Sequence, residues 1–233
     1  MNRWWLWLIS LPLGAQSAPP LVLTTHEMPP YSMAAAGGVG GLATRRVDCA
    51  LQTLQRPYQL QLLPWKRAQH EVQAGRADGF FAGARNAERD RYAQASVVIA
   101  PQVWTWFQLE DASVQPTDAD FRSRATVASF LGAAMYDHLK EQGYPRLEQA
   151  RNMDQLTDWL LTAKVDAVLA ADLVMAHHLQ LRGISSGIRS VAYQDKPLVL
   201  YFSKQRVAAE PDLLPSFNQA VSDCIAAEQR SDG

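Results

Sequence analysis

Arg89 lies just beyond an apolar strand expected at residues 77–82, in a helix that opens at Asn86. A guanidinium offers a rigid fork of donors that matches a carboxylate with two parallel hydrogen bonds. The C-terminal edge of a parallel strand is also where open α/β sheets bind ligands. The competing reading is an exposed helix arginine beside Glu88 and Asp90, with Arg85 and Arg91 close by. Asp172 follows a second apolar strand, residues 165–170, at the opening of another helix. Its carboxylate suits a helix N-cap, and a capping carboxylate keeps lone pairs to spare for other partners. Trp65, after Pro64, either walls a cleft or packs against the sheet, and Tyr31 ends a loop stiffened by Pro29 and Pro30.

Other motifs lead nowhere. Gly183-Ile184-Ser185-Ser186-Gly187 matches the G-x-S-x-G pattern of serine hydrolases, but that motif needs a strand before it and a helix after it. Here a helix comes first, so Ser185 reads as a turn residue. His177 and His178 are adjacent and point to different helix faces. With no H-E-x-x-H and no cysteine cluster, no metal site is expected. Gly37 to Gly41 lacks the spacing of a phosphate-binding loop, and no cofactor is expected.

The elements that would position these residues alternate between strand and helix, the pattern of an α/β fold. Strands are expected at 21–25, 58–63, 77–82, 96–99 and 103–109, with helices at 42–54, between Pro64 and a tight turn at Gly75, and from Asn86. Residues 34–41, small and glycine-rich, read as a loop. A second set follows: helices at 118–121, 132–142, 154–162 and 172–181, and strands at 125–129, 165–170, 188–193 and 198–202. A final helix spans 211–227. The two sets read as lobes of similar design.

Residues 1–18 read as a secretory signal peptide. Arg3 is the positive n-region, Trp4 to Leu13 the apolar core, and Ala15-Gln16-Ser17-Ala18 supplies small residues for cleavage. The apolar run falls far short of the roughly 20 residues a membrane-spanning helix needs; an uncleaved anchor is the alternative. The remaining chain, about 215 residues, is long enough for one large domain or two small ones with real cores. The whole sequence carries a formal net charge of −1, so nothing attracts a phosphate backbone and nucleic acid is not an expected partner. Seven tryptophans and seven tyrosines exceed what a core needs, and some are candidates to line a cleft.

The stretch from Pro64 to Ser96 resembles bacterial solute-binding proteins of family 3, the periplasmic receptors for amino acids and related polar molecules. The elements of the resemblance are Trp65-Lys66-Arg67, Gly75 to Asp78, Glu88-Arg89 and Ser96, with Pro101 a little late. It extends over nearly the whole mature length. It implies the two-lobed type 2 periplasmic binding fold, each lobe a mixed sheet flanked by helices, joined by two hinge crossings near Trp104 and near 197–203. Lobe 1 would hold residues 19–102 plus 204–233, and lobe 2 residues 103–203. Such lobes can close around a ligand.

The resemblance implies that Arg89 grips a ligand α-carboxylate, that Asp172 binds its α-ammonium from the other lobe, and that Tyr31 and Trp65 wall the ligand. Ala84, Ala133 and Ala134 stand at the remaining contact positions. Departures matter there. Ser or Thr hydroxyls are usual on the strand before the arginine, where this chain has Phe81, Ala82 and Ala84. A Gly followed by Ser or Thr is usual at a helix start in the second lobe, where this chain has Gly132-Ala133-Ala134. These changes put a standard polar amino acid in doubt and leave room for a larger or more apolar ligand. Cys49 and Cys224 would fall in the first and last helices of lobe 1, where a disulfide suits an oxidising compartment; two unpaired thiols are the alternative. The expected protein is a monomeric periplasmic receptor that passes a small amino-acid-like or carboxylate ligand to an ABC importer or a sensor. Rival readings are an enzyme resembling cyclohexadienyl dehydratase, with His26 or Glu27 as general acid, and a regulatory module without transport.

Overall fold

The computed structural model describes residues 19–130 and 134–231. The signal peptide expected at 1–18 lies outside them, as does Ala133. In chain order the elements are β1 (Leu21–Thr25), β2 (Met33–Ala35), β3 (Gly38–Gly40), α1 (Leu42–Thr53), β4 (Tyr58–Leu62), α2 (Trp65–Gln73) and β5 (Gly79–Ala84). Next come α3 (Ala87–Asp90), β6 (Ala93–Ala100), β7 (Val103–Leu109), α4 (Phe121–Arg124), β8 (Val127–Phe130), α5 (Ala134–Glu141) and β9 (Leu147–Ala150). The chain continues through α6 (Met153–Leu161), β10 (Ala167–Ala171), α7 (Asp172–Leu181), β11 (Ile188–Asp195), β12 (Leu198–Ser203), α8 (Lys204–Ala209) and α9 (Leu213–Ser231).

The strands form two five-stranded sheets of matching design and a small β2-β3 hairpin. In the first sheet, ordered β4-β1-β5-β12-β6, the trio β4, β1 and β5 is parallel, and β12 runs antiparallel to β5 and β6. In the second, ordered β11-β7-β10-β8-β9, the trio β10, β8 and β9 is parallel, and β7 runs antiparallel to β10 and β11. Each sheet is covered on both faces, which is why β5 and β10 read as continuous apolar runs rather than alternating ones. In the first lobe Leu23, Phe81 and Leu200 pack with Val47 of α1 and Phe217 of α9, while Phe80 and Tyr201 pack with Val72 of α2 on the opposite face. In the second, Trp106 and Leu169 pack with Phe121 and Leu139, and Phe107 and Val168 with Leu156 and Met175.

The chain passes from the first sheet to the second between β6 and β7, and returns between β11 and β12. The two crossings are joined by a hydrogen bond from the Lys196 N–H to the Gln102 carbonyl, 2.9 Å. The return therefore falls at Lys196–Pro197. Residues 198–203, expected in lobe 2, belong to the first sheet, because β12 supplies the antiparallel partner that β5 and β6 share. Residues 34–41 form a hairpin rather than an open loop. The helix expected from Asn86 is a single short turn, and β6 begins at Ala93 rather than Ser96. Cys49 and Cys224 form a disulfide that ties α1 to α9 across 175 residues of sequence. Among the described residues no helix is long and apolar enough to cross a membrane.

Candidate functional site

The C-terminal edges of the two parallel trios face each other. Met28, in the loop after β1, and Val174, in the first turn of α7, each pack against the cores of both lobes. Between these edges the structure brings together most of the residues singled out in the sequence.

On the first lobe the site is built around Arg89. Its α3 turn is pinned from below: the Asn86 N–H donates to the Tyr201 hydroxyl at 3.0 Å, and that hydroxyl donates to Asp90 Oδ1 at 3.0 Å. Tyr201 is fully buried in β12, so the last strand of the sheet fixes the residue that the third helix presents. The guanidinium carbon of Arg89 lies 4.9 Å from the ring centroid of Trp65. Its Nε donates to Gln69 Oε1 at 3.0 Å and its Nη1 to the Ala84 carbonyl. Trp65 and Gln69 are four residues apart on α2 and so share one face. Arg89 is partly buried and forms no ion pair with any described residue. Burial, the dominant effect, pulls its guanidinium below its ordinary value. The reading of Arg89 as a solvated helix arginine does not survive this geometry.

Two backbone features make room for the pair. Gly83 passes directly under Trp65: a Cβ there would sit 2.7 Å from the indole Cη2 and 3.4 Å from Arg89 Nη1. A glycine inside an apolar strand signals such a close approach, and this one was readable as that. One residue earlier, Ala82 adopts φ +61° where the β5–β12 register slips between Val199 and Leu200. A left-handed alanine costs about 1–2 kcal/mol, and a bulge of this kind re-aims the strand beside it. Phe81 and Ala82 are buried, and Ala84 gives its carbonyl to Arg89.

His26, at the end of β1, completes the wall. Its ring centroid is 4.4 Å from that of Trp65, and its Nδ1 is buried without a partner. Burial and then the positive charge of Arg89 lower its pKa to about 4, so the ring is neutral at pH 7. Glu27 is exposed, and its carboxylate accepts from the Ala34 N–H at 3.3 Å.

On the second lobe, the N-cap of α7 is Ala171, and Asp172 is the first helical residue. Asp172 is thus no N-cap, and its side chain points across the cleft. The Tyr31 hydroxyl lies 2.8 Å from the Pro101 carbonyl and 3.2 Å from Asp172 Oδ1. Tyr31 is fully buried and joins the first lobe, the outgoing crossing and the second lobe at one oxygen. Burial, then the Asp172 charge and hydrogen bond, push its hydroxyl far above the ordinary tyrosine range. It therefore ties the two lobes together beside the hinge. Ala134 is exposed at the start of α5.

Sequence inspection did not single out Gln69, Tyr201 or Lys196. Lys196, on the return crossing, holds its ammonium 4.8 Å from the ring centroid of Trp104. Among the described residues no cluster of three or more His, Cys, Asp or Glu could hold a metal ion.

Sequence comparison matches the chain to no protein-family model and to no curated protein. Its fold, by contrast, is shared with many solved structures. A histidine kinase sensor domain with similarity to periplasmic binding proteins superposes with a TM-score of 0.74 at 15% identity, covering 93% of this chain and 94% of that one. The GluR0 ligand-binding core from Nostoc punctiforme, in complex with L-glutamate, gives 0.72 at 15% identity, covering 91% and 96%. An amino acid ABC transporter substrate-binding protein from Streptococcus pneumoniae, bound to L-arginine, gives 0.70 at 13% identity, covering 91% and 92%. The chain therefore has the two-lobed fold of the periplasmic binding proteins.

Proposed function

We propose that this protein is a periplasmic solute receptor that captures a small carboxylate-bearing molecule between its lobes. The observation that carries this reading is Arg89: a partly buried guanidinium, stacked on Trp65 at the sheet edge and aligned by Gln69 and Ala84, with no acidic partner among the described residues. A buried charge without a counter-ion is costly, and such sites are kept where a ligand supplies the missing charge. Neutral His26 and Trp65 give the carboxylate an apolar, poorly hydrated wall that strengthens the attraction. Asp172 faces this wall from the other lobe, placed to receive an ammonium or hydroxyl through the lone pairs that Tyr31 leaves free.

The structural neighbours that hold amino acids support a binding role. Delivery would be to an ABC importer or to a sensor, since both kinds of protein share the fold. The receptor would act as a monomer, exported through the signal peptide at residues 1–18.

The test is thermal unfolding of the mature protein, stripped of bound ligand by unfolding and refolding, against amino acids, polyamines, small carboxylates and prephenate. A ligand at a hundred times its dissociation constant stabilises by about 2.7 kcal/mol, a rise of a few degrees. A rise with one class of carboxylate supports the receptor, a response to prephenate alone redirects the work to a dehydratase, and no response to any carboxylate contradicts the reading.

A further inference from the structure

His26 and Arg89 rest against the same indole. The His26 ring lies 4.4 Å from the Trp65 ring between centroids, and the Arg89 guanidinium carbon lies 4.9 Å from that ring's centroid. His26 directly follows β1, and its carbonyl accepts from the buried Ser32 hydroxyl at 2.6 Å, which fixes its backbone at the sheet edge. Its Nδ1 is buried without a partner, and the ring forms no ion pair with any described residue. A titratable ring is thus held beside the cation that the receptor reading assigns to a ligand carboxylate.

The charge that faces this ring is Arg89, from α3. On the same turn Asp90 is taken by the Tyr201 hydroxyl, and Glu88 is exposed. On α2, beyond Trp65, the side chains of Lys66, Arg67 and His70 are exposed. Glu27, next in the chain, bonds to the Ala34 N–H, and Asp172 of the other lobe is engaged by Tyr31. Protonating His26 in the free site sets two cations against one indole with no anion to balance them. A carboxylate on Arg89 reverses that balance, because it cancels the arginine's charge and brings an anion to the imidazole. The free site carries one positive charge and the loaded site none, so one proton from solvent restores the original charge.

We propose that capture of a carboxylate on Arg89 draws a proton from solvent onto His26, so that the receptor binds more tightly as the pH falls. This rests on the receptor reading above and adds a regulation of the same site. The free ring, with a pKa of about 4, is almost uncharged at pH 5. Loading removes the contribution of Arg89 and leaves that of burial, so the value recovers part of the way towards 6.5. Because the shift on loading is upward, affinity rises with falling pH between the loaded and the free values, and is flat above the loaded one.

The experiment is calorimetric titration of the full mature chain with L-arginine, L-phenylalanine, L-lactate and L-phenyllactate, whose carboxyls stay ionised at pH 5. Each probe is run at pH 5 and pH 7, in two buffers of different ionisation enthalpy, so that the protons taken up on binding are counted. His26→Gln is titrated alongside, with circular dichroism as the check on folding. The expected result is binding about threefold or more tighter at pH 5, with more than about half a proton taken up there and almost none at pH 7. His26→Gln, which can take no proton, should show the same affinity at both pH values. Should that variant fail to fold, the imidazole proton resonance of His26 in the unaltered chain decides: its midpoint should rise by about one pH unit when a probe saturates the site. Binding with equal affinity at pH 5 and pH 7 and no proton uptake, a pH dependence that survives in His26→Gln, or an unmoved His26 midpoint overturns the proposal and leaves the receptor reading standing. Silence of all four probes at both pH values overturns both.

Discussion

The Tyr31 hydroxyl and the Asp172 carboxylate, 141 residues apart, meet at 3.2 Å across the two lobes. One phenol proton serves both this carboxylate and the Pro101 carbonyl of the outgoing crossing, so the contact couples lobe closure to the hinge.

Removing that oxygen should loosen the closed arrangement. Tyr31→Phe keeps the buried ring and leaves the Pro101 carbonyl and Asp172 without this donor, at a cost of about 1–3 kcal/mol. The expected outcome is a lowered midpoint in urea, together with a larger radius of gyration by small-angle scattering. An unchanged radius would show that the bond does not hold the lobes together.

Gly83 should tolerate no side chain. A methyl group 2.7 Å from Trp65 displaces the indole and, with it, the guanidinium stacked on it. Overpacking of this kind costs about 1–3 kcal/mol. Gly83→Ala is therefore expected to lose most ligand affinity while still unfolding cooperatively, measured by calorimetry beside thermal melting.

His26 gives the fold an acid sensitivity. Its folded pKa, about 4, lies below the ordinary value of 6.5, so the unfolded chain binds the proton first as pH falls. The stability that this group contributes is fully present above pH 6.5 and disappears between about 6.5 and 4, up to about 3 kcal/mol in all. Urea unfolding across pH 4–7 should show this slope, and His26→Gln should flatten it.

The disulfide should matter more than any single core contact. It closes a loop of 175 residues, which in the chain-entropy model is worth about 5 kcal/mol. Free-thiol titration of the denatured protein should find no thiol, and Cys49→Ser with Cys224→Ser should lower the melting temperature by well over ten degrees.

Much of this was legible in the sequence. Alternating apolar runs and helical spacings gave the α/β class, and the order of Trp65, Gly75, Asp78, Arg89 and Ser96 pointed to the sheet edge where Arg89 now stands. Other elements carry little local signal. The β9 segment, Leu-Glu-Gln-Ala, is a short edge strand with few apolar residues, and the β2-β3 hairpin is built from small residues with almost no β-branching. That β12 joins the first sheet and not the second is decided by its non-local pairing with β5 and β6. The Tyr31–Asp172 contact, the placement of Tyr201 under α3 and the seat of Lys196 over Trp104 all join distant segments, so each became visible only in three dimensions.

The most direct measurement is calorimetric titration of a ligand carboxylate into the mature protein and into Arg89→Ala, with circular dichroism of both. The loss of Arg89 should leave the circular dichroism spectrum unchanged, lower the unfolding midpoint modestly through the lost bonds to Gln69 and Ala84 and the lost stacking on Trp65, and abolish detectable binding. Binding that persists undiminished in Arg89→Ala would contradict a site built on this arginine.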